Sequence, residues 1–198
     1  MQPLFLVRHA PVALDHSVPA ETWQLTPEGH ALAERLAALP ILTGLRMVWT
    51  SPEPKAQATA KPLAHRYGAP LLVHPHLTEL RRGPTSLPEQ TMYEAAVRQA
   101  FATPETSVAG WERAGDAQRR IVGCVLELAA QTDKPFAVVA HGLVLSLLLA
   151  HIRRQVQVDV AEWRAIPMPA LAIVDCSTWR VISPFRPVEA WEASDLTM

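Results

Sequence analysis

Apolar residues along this chain fall into two rhythms. Short continuous runs at residues 3–7 (PLFLV), 45–49, 71–73 and 136–140 (FAVVA) read as buried strands. Between them the spacing becomes helical. Thr26-Pro27-Glu28 supplies a capping hydroxyl, a proline at the first helical position and an acid in the first turn. Leu32, Leu36 and Leu39 then recur near helical spacing until Pro40. Ser51-Pro52 opens a second helix, whose apolar positions Ala56, Ala60, Leu63, Ala64 and Tyr67 end at Gly68, the expected C-terminal stop. Further helical patterns cover residues 89–102 and 115–130, and another begins at Leu143. Residues 170–175 and 179–182 read as a closing pair of strands that turns at Cys176-Ser177-Thr178. The segment up to Gln24 and residues 75–88 read as loops. The tail after Pro184 lacks a pattern and is expected to be partly mobile.

Strands alternating with helices predict an α/β fold, a single-domain sandwich over residues 1–198 with a mostly parallel central sheet flanked by helices. Ligands of such sheets bind beyond the carboxyl ends of the strands. Arg8-His9, Thr50-Ser51 and His141-Gly142 each follow a predicted strand, so one crevice is expected to gather all three.

Composition narrows the function classes. The 198 residues are 49% hydrophobic, enough for a sizeable core, which sets disorder aside. Eighteen lysines and arginines against 19 acids give a net charge of −1. That balance points away from a nucleic-acid partner, so any positive site must be a local cluster. Cys124 and Cys176 have neither metal-ligand nor redox spacing and read as small buried thiols of a reduced compartment. The apolar stretch at residues 136–152 is short for a membrane span and reads as a strand running into a helix. With no signal-peptide pattern in MQPLFLVRH, a cytoplasmic protein with no membrane partner is expected.

Four segments carry candidate chemistry. Arg8-His9 places a potential imidazole nucleophile beside a guanidinium whose fork fits phosphate oxygens, although an isolated pair of this kind is more often a solvated strand end. In His141-Gly142, the glycine permits a close backbone approach and a helix start whose N–H groups would face an anion. Alone, that histidine would be an ordinary rim residue. Lys55, in the first turn after Ser51-Pro52-Glu53-Pro54, adds a cation to the rim. Glu79, flanked by leucines in Leu77-Thr78-Glu79-Leu80-Arg81-Arg82, is a candidate general acid if burial raises its pKa; a loop salt bridge is the plainer alternative. His74-Pro75-His76 is too local and too bent by proline to suggest a metal site.

Taken in order, LVRHA, TSPEPKAQATA, LTEL and AVVAHG resemble the histidine phosphatase superfamily, which includes the phosphoglycerate mutases, over roughly residues 4–152. The resemblance implies that His9 is transiently phosphorylated, that Arg8 and His141 hold the phosphoryl oxygens, and that Glu79 donates the proton. It places Lys55 where the family usually has arginine, followed by Ala56 and Thr59-Ala60, and it adds Gly142 and Asp15 to the substrate-binding set. Gly110 and Glu112 loosely match a later Gly-Glu-Ser motif, with Arg113 in place of the serine; Ala10 and Asp15 replace a glycine and an asparagine common in the family. The implied activity is hydrolysis of a small phosphorylated substrate through phosphohistidine, without metal or cofactor. A mutase-type transfer and a non-catalytic phosphate-binding module are the alternatives. Trp23, Trp111 and Arg113 are expected near the pocket mouth. The reading leaves a homodimer open.

Overall fold

The computed structural model describes residues 1–82 and 89–191. The predicted strands assemble into one sheet of six: β1 (Pro3–Arg8), β2 (Met47–Thr50), β3 (Leu71–Val73), β4 (Phe136–Ala140), β5 (Ala170–Asp175) and β6 (Arg180–Pro187). Their order across the sheet is β3-β2-β4-β1-β5-β6. The pairs β2–β3, β2–β4 and β1–β4 are parallel, and β1–β5 and β5–β6 are antiparallel. The expected α/β sandwich with a mostly parallel sheet is therefore present, with an antiparallel edge made by its last two strands.

Side chains alternate between the two faces of the sheet, and helices cover both. On one face Phe5, Val7, Val48, Ala137, Val139, Leu171 and Ile173 pack with α1 (Pro27–Ala37) and α2 (Pro54–Tyr67). On the other, Leu4, Leu6, Phe136, Val138, Ala140, Ala172 and Val174 pack with α3 (Gln90–Ala102), α4 (Ala114–Ala130) and α5 (Gly142–Ile152). Every residue of β4 is buried, as is α5 from Gly142 to Ala150. This explains why that stretch carries no polar stripe: a helix apolar all round is an interior helix.

The start signal of α1 and the stop signal of α2 act as expected. Thr26 Oγ1 caps α1 by accepting from Gly29 N at 2.9 Å. Gly68 ends α2 in the left-handed conformation, φ +57°, which costs glycine little. Other boundaries moved. The second helix begins at Pro54 with Glu53 at its cap, because Ser51 is held in the turn by its own contacts. The short helix α6 (Val160–Ala165) was not foreseen; Asp159 caps it by accepting from Ala161 N and Glu162 N. The last strand, read to Ile182, continues to Pro187, and in the tail that carried no pattern Val188 and Trp191 are buried against the α1–α2 face. The rest of the tail, and residues 83–88 of the loop read at 75–88, lie outside the described residues. Within that loop, Pro75–Leu77 forms a single 3-10 turn. Among the described residues, no helix is long and apolar enough to cross a membrane.

Candidate active site

Parallel pairing fixes where the site forms. β4 lies between β1 and β2, with Val7 and Thr50 both level with Val139. His9, Ser51 and His141 each follow the last residue of one of these strands and so leave the sheet along one edge. The ladder extends just beyond the strands: His9 N donates to the Ala140 carbonyl at 3.1 Å, and Ser51 N to the Val139 carbonyl at 3.0 Å. The crevice expected from the sequence is thus gathered by register.

His9 is buried, and its Nδ1 lies 2.8 Å from the Ala10 carbonyl. A carbonyl only accepts, so Nδ1 carries the hydrogen and Nε2 keeps its lone pair. Burial, helped by the charges of Arg8, Lys55 and Arg82 and opposed by the Ala10 hydrogen bond, brings the His9 imidazole down to about 3. The ring is therefore neutral near neutral pH. The His141 ring lies edge-on to it, centroids 5.2 Å apart.

His141 is fully buried. Its Nε2 lies 2.8 Å from Ser51 Oγ and 3.2 Å from Glu53 Oε1, while its Nδ1 is buried without a hydrogen-bond partner among the described residues. Burial holds this imidazole well below its ordinary pKa, with His9, Lys55, Arg82 and Arg8 acting in the same direction.

Lys55 was expected to project as a rim cation. It is instead buried, 4% exposed, with Nζ donating to Glu53 Oε2 at 2.5 Å and to the Ala20 carbonyl at 2.7 Å. Its charge still reaches both histidines. Glu53 completes this cluster, also accepting Glu79 N at 2.8 Å through Oε1. Burial raises the Glu53 carboxyl, and Lys55 pulls it back. In the sequence, Glu53 read only as part of a helix start. Thr59, from the Thr59-Ala60 pair, supports the same corner, its Oγ1 accepting from Ala10 N at 3.0 Å and donating to the Lys55 carbonyl at 2.8 Å.

The first turn of α5 holds a carboxyl group of the protein itself. Leu143 N donates to Glu79 Oε2 and Val144 N to Glu79 Oε1, each at 3.0 Å, and Leu80 N donates to Oε1 at 2.9 Å. The amides expected to face a bound anion are therefore occupied by Glu79. The loop carrying Glu79 is tied to α4 by Arg120, which donates to the carbonyls of His76, Thr78 and Glu79 and pairs with Glu112 at 2.8 Å. Glu112 also accepts Arg81 N.

Arg8 donates through Nη1 to the Ile166 carbonyl, and its buried Nε has no hydrogen-bond partner among the described residues. Gly142 makes room for it. A Cβ at position 142 would meet the guanidinium at 3.3–3.4 Å, so this glycine accommodates Arg8 and its backbone conformation requires no positive φ. Arg82, which the sequence placed only as a neighbour of Glu79, adds charge near both histidines and lies over the Tyr93 ring at 5.4 Å.

Three expectations fail on geometry. Asp15 is exposed and bonds locally to Ser17, so it is not gathered with the histidines. Trp111 is 3% exposed and packs on Tyr93 in the core, since a large apolar ring gains more from burial than from lining a mouth. Arg113 is a surface partner of Asp116. Trp23 is half-buried in the loop that carries Asp15, its Nε1 donating to the Asp15 carbonyl at 2.7 Å. Cys124 and Cys176 are unpaired and buried, which pushes both thiols up to about 12. No group of three or more His, Cys, Asp or Glu among the described residues is arranged to hold a metal ion.

The family model of the histidine phosphatase superfamily (branch 1) matches residues 4–180. The chain belongs to this superfamily. Several solved histidine phosphatase-like structures share its fold. The native mycobacterial glucosyl-3-phosphoglycerate phosphatase matches with a TM-score of 0.72 at 20% identity, covering 92% of this chain and 97% of that one. Bacillus stearothermophilus YhfR matches with a TM-score of 0.71 at 21% identity, covering 92% and 96%. The alpha-ribazole phosphatase of Shigella flexneri matches with a TM-score of 0.71 at 18% identity, covering 94% and 96%. A comparison with curated proteins gave no match.

Proposed function

We propose that this histidine phosphatase superfamily member is a phosphomonoesterase that hydrolyses a small phosphate ester through a phosphohistidine on His9. One observation carries the reading: the Nδ1 contact to the Ala10 carbonyl leaves a neutral ring with its nucleophilic lone pair on Nε2, among Arg8, Lys55 and Arg82. A histidine nucleophile needs that tautomer, and phosphoryl transfer needs fixed positive charge around the moving group.

In the first displacement Nε2 attacks phosphorus in line, the P–O bond to the leaving group breaks, and that oxygen takes a proton from Glu79. Each carboxyl oxygen has two acceptor sites. Oε1 uses both, on Leu80 N and Val144 N, whereas Oε2, among the described residues, accepts only Leu143 N and keeps one for the proton. In the second displacement water attacks the phosphohistidine, Glu79 takes the water proton, and the P–N bond breaks to restore His9 and release phosphate. Arg8 and His141 hold the nonbridging oxygens, with Lys55 acting at longer range through its charge.

Hydrolysis is favoured over mutase-type transfer because relatives of the same fold are named as phosphatases, of glucosyl-3-phosphoglycerate and of alpha-ribazole. A panel of sugar phosphates, nucleotides and nitrophenyl phosphate tests the reading. Wild type is expected to release inorganic phosphate from at least one ester, and His9→Ala to release none while keeping its fold by circular dichroism. Undiminished turnover in His9→Ala would overturn it.

A further inference from the structure

The buried corner formed by Glu53, Lys55 and His141 says more about how phosphate is received. Glu53 Oε2 accepts from Lys55 Nζ and Oε1 from Glu79 N, so this carboxylate is already an acceptor in both arms. Its Oε1 also lies 3.2 Å from His141 Nε2. Two lone pairs would repel at that distance, so the hydrogen is placed on Nε2, within 2.8 Å of Ser51 Oγ and beside the Glu53 carboxylate. The neutral ring then has its bare lone pair on Nδ1, the buried nitrogen without a partner. A bare lone pair cannot donate to a phosphate oxygen. A hydrogen bond there requires another proton, brought by the phosphate as its monoanion or taken up by the ring.

We propose that Glu53 is a positioning residue that fixes His141 as its Nε2–H tautomer, so that phosphate binds together with one proton shared between His141 Nδ1 and a phosphate oxygen. The inference rests on the reading that His141 holds the phosphoryl group, and it is independent of whether His9 is the nucleophile.

The surrounding charges fit. His141 faces Arg8 and His9 from the end of β1, Glu53 and Lys55 from the start of α2, and Arg82 from the loop before α3. Glu53 faces Lys55, His141 and Glu79. At rest, burial and the cations keep the imidazole neutral. A phosphate dianion on one side of the ring and the Glu53 carboxylate on the other reverse that balance. The ammonium and guanidinium groups have no proton to gain, so His141 and the phosphate are left to share it.

The test is nitrogen-15 NMR of the full chain at about pH 8, with the His141 signals assigned by comparison with His141→Gln, first without ligand and then with saturating inorganic phosphate. The ligand-free protein is expected to show Nδ1 unprotonated and Nε2 protonated, and phosphate to bring hydrogen-bonded proton character to Nδ1. Calorimetry in buffers of different ionisation enthalpy should report uptake of about one proton per phosphate bound as dianion, with Kd rising roughly tenfold per pH unit above about pH 7. Glu53→Gln, whose amide can donate to Nε2 and free Nδ1–H, should cut the uptake by more than half and flatten the slope. An Nδ1–H tautomer in the ligand-free wild type, or phosphate binding without proton uptake, would overturn the inference and leave the proposed hydrolysis standing. Failure of phosphate to bind at all would overturn both.

Discussion

At the scale of single residues, the site is held by contacts that the sequence names only in part. Arg8, His9 and His141 were legible because each ends an apolar strand, and register does the rest. Glu53 was not, because an acid at a helix start looks the same whether it faces water or a buried lysine. Asp15 failed for the converse reason: its place in a family pattern carries no information about its own short contact with Ser17. Gly142 was legible as a special position but for a different cause, the room it leaves for Arg8. Gly142→Ala should therefore push the guanidinium aside, raising KM for a phosphate ester several-fold with little change in thermal stability; an unchanged KM would show that Arg8 is not held in place by this contact. Glu79→Gln separates acid catalysis from scaffolding. A nitrophenolate leaves without a proton, so the loss on alkyl phosphates should exceed that on nitrophenyl phosphate by about 10²-fold or more. Equal losses on both would make Glu79 a purely structural ligand of α5.

At the scale of elements, helix termini and loop anchors decide where these residues stand. The start of α1 and the end of α2 were readable from Thr26, Pro27 and Gly68. α6 was not, since six residues offer too little periodicity, and the last strand was read only to Ile182, although an edge strand tolerates the proline at 184 and runs on to Pro187. The tie between α4 and the Glu79 loop is Arg120, a long-range contact with no trace in local sequence. Its partner Glu112 is half-buried, which raises its carboxyl, but the Arg120 hydrogen bonds and the Arg81 amide outweigh this and hold it below the ordinary 4.5. A depressed folded-state value means that the ionised carboxylate stabilises the fold above about 4.5 and loses that contribution as pH falls through the lower folded value. Glu112→Gln should accordingly be less stable than wild type at neutral pH, with the difference narrowing below pH 4.5 in thermal melts. A gap that stays constant with pH would show that the carboxylate charge contributes nothing.

At the scale of the whole molecule, alternating strands and helices made the α/β architecture readable, and the parallel pairing of β1, β4 and β2 converts that architecture into a site. Three strand ends brought to one edge supply two neutral histidines and a guanidinium, while α2 and the loop before α3 add two more cations. What the sequence could not show is the charge arrangement inside the crevice, where a buried Glu53–Lys55 pair replaces an open rim cation. The central claim is that this arrangement phosphorylates one particular atom. Because Nδ1 of His9 is committed to the Ala10 carbonyl, the proposed mechanism delivers the phosphoryl group to Nε2. The direct measurement is rapid acid-free quenching during turnover of a good ester, followed by intact-mass detection and phosphorus-31 NMR of the trapped enzyme. The account predicts an acid-labile adduct on His9, phosphorylated at Nε2 and absent from His9→Ala. An adduct on Nδ1, an adduct on another residue, or turnover with no phosphoenzyme under conditions that trap one in a known histidine phosphatase would contradict it.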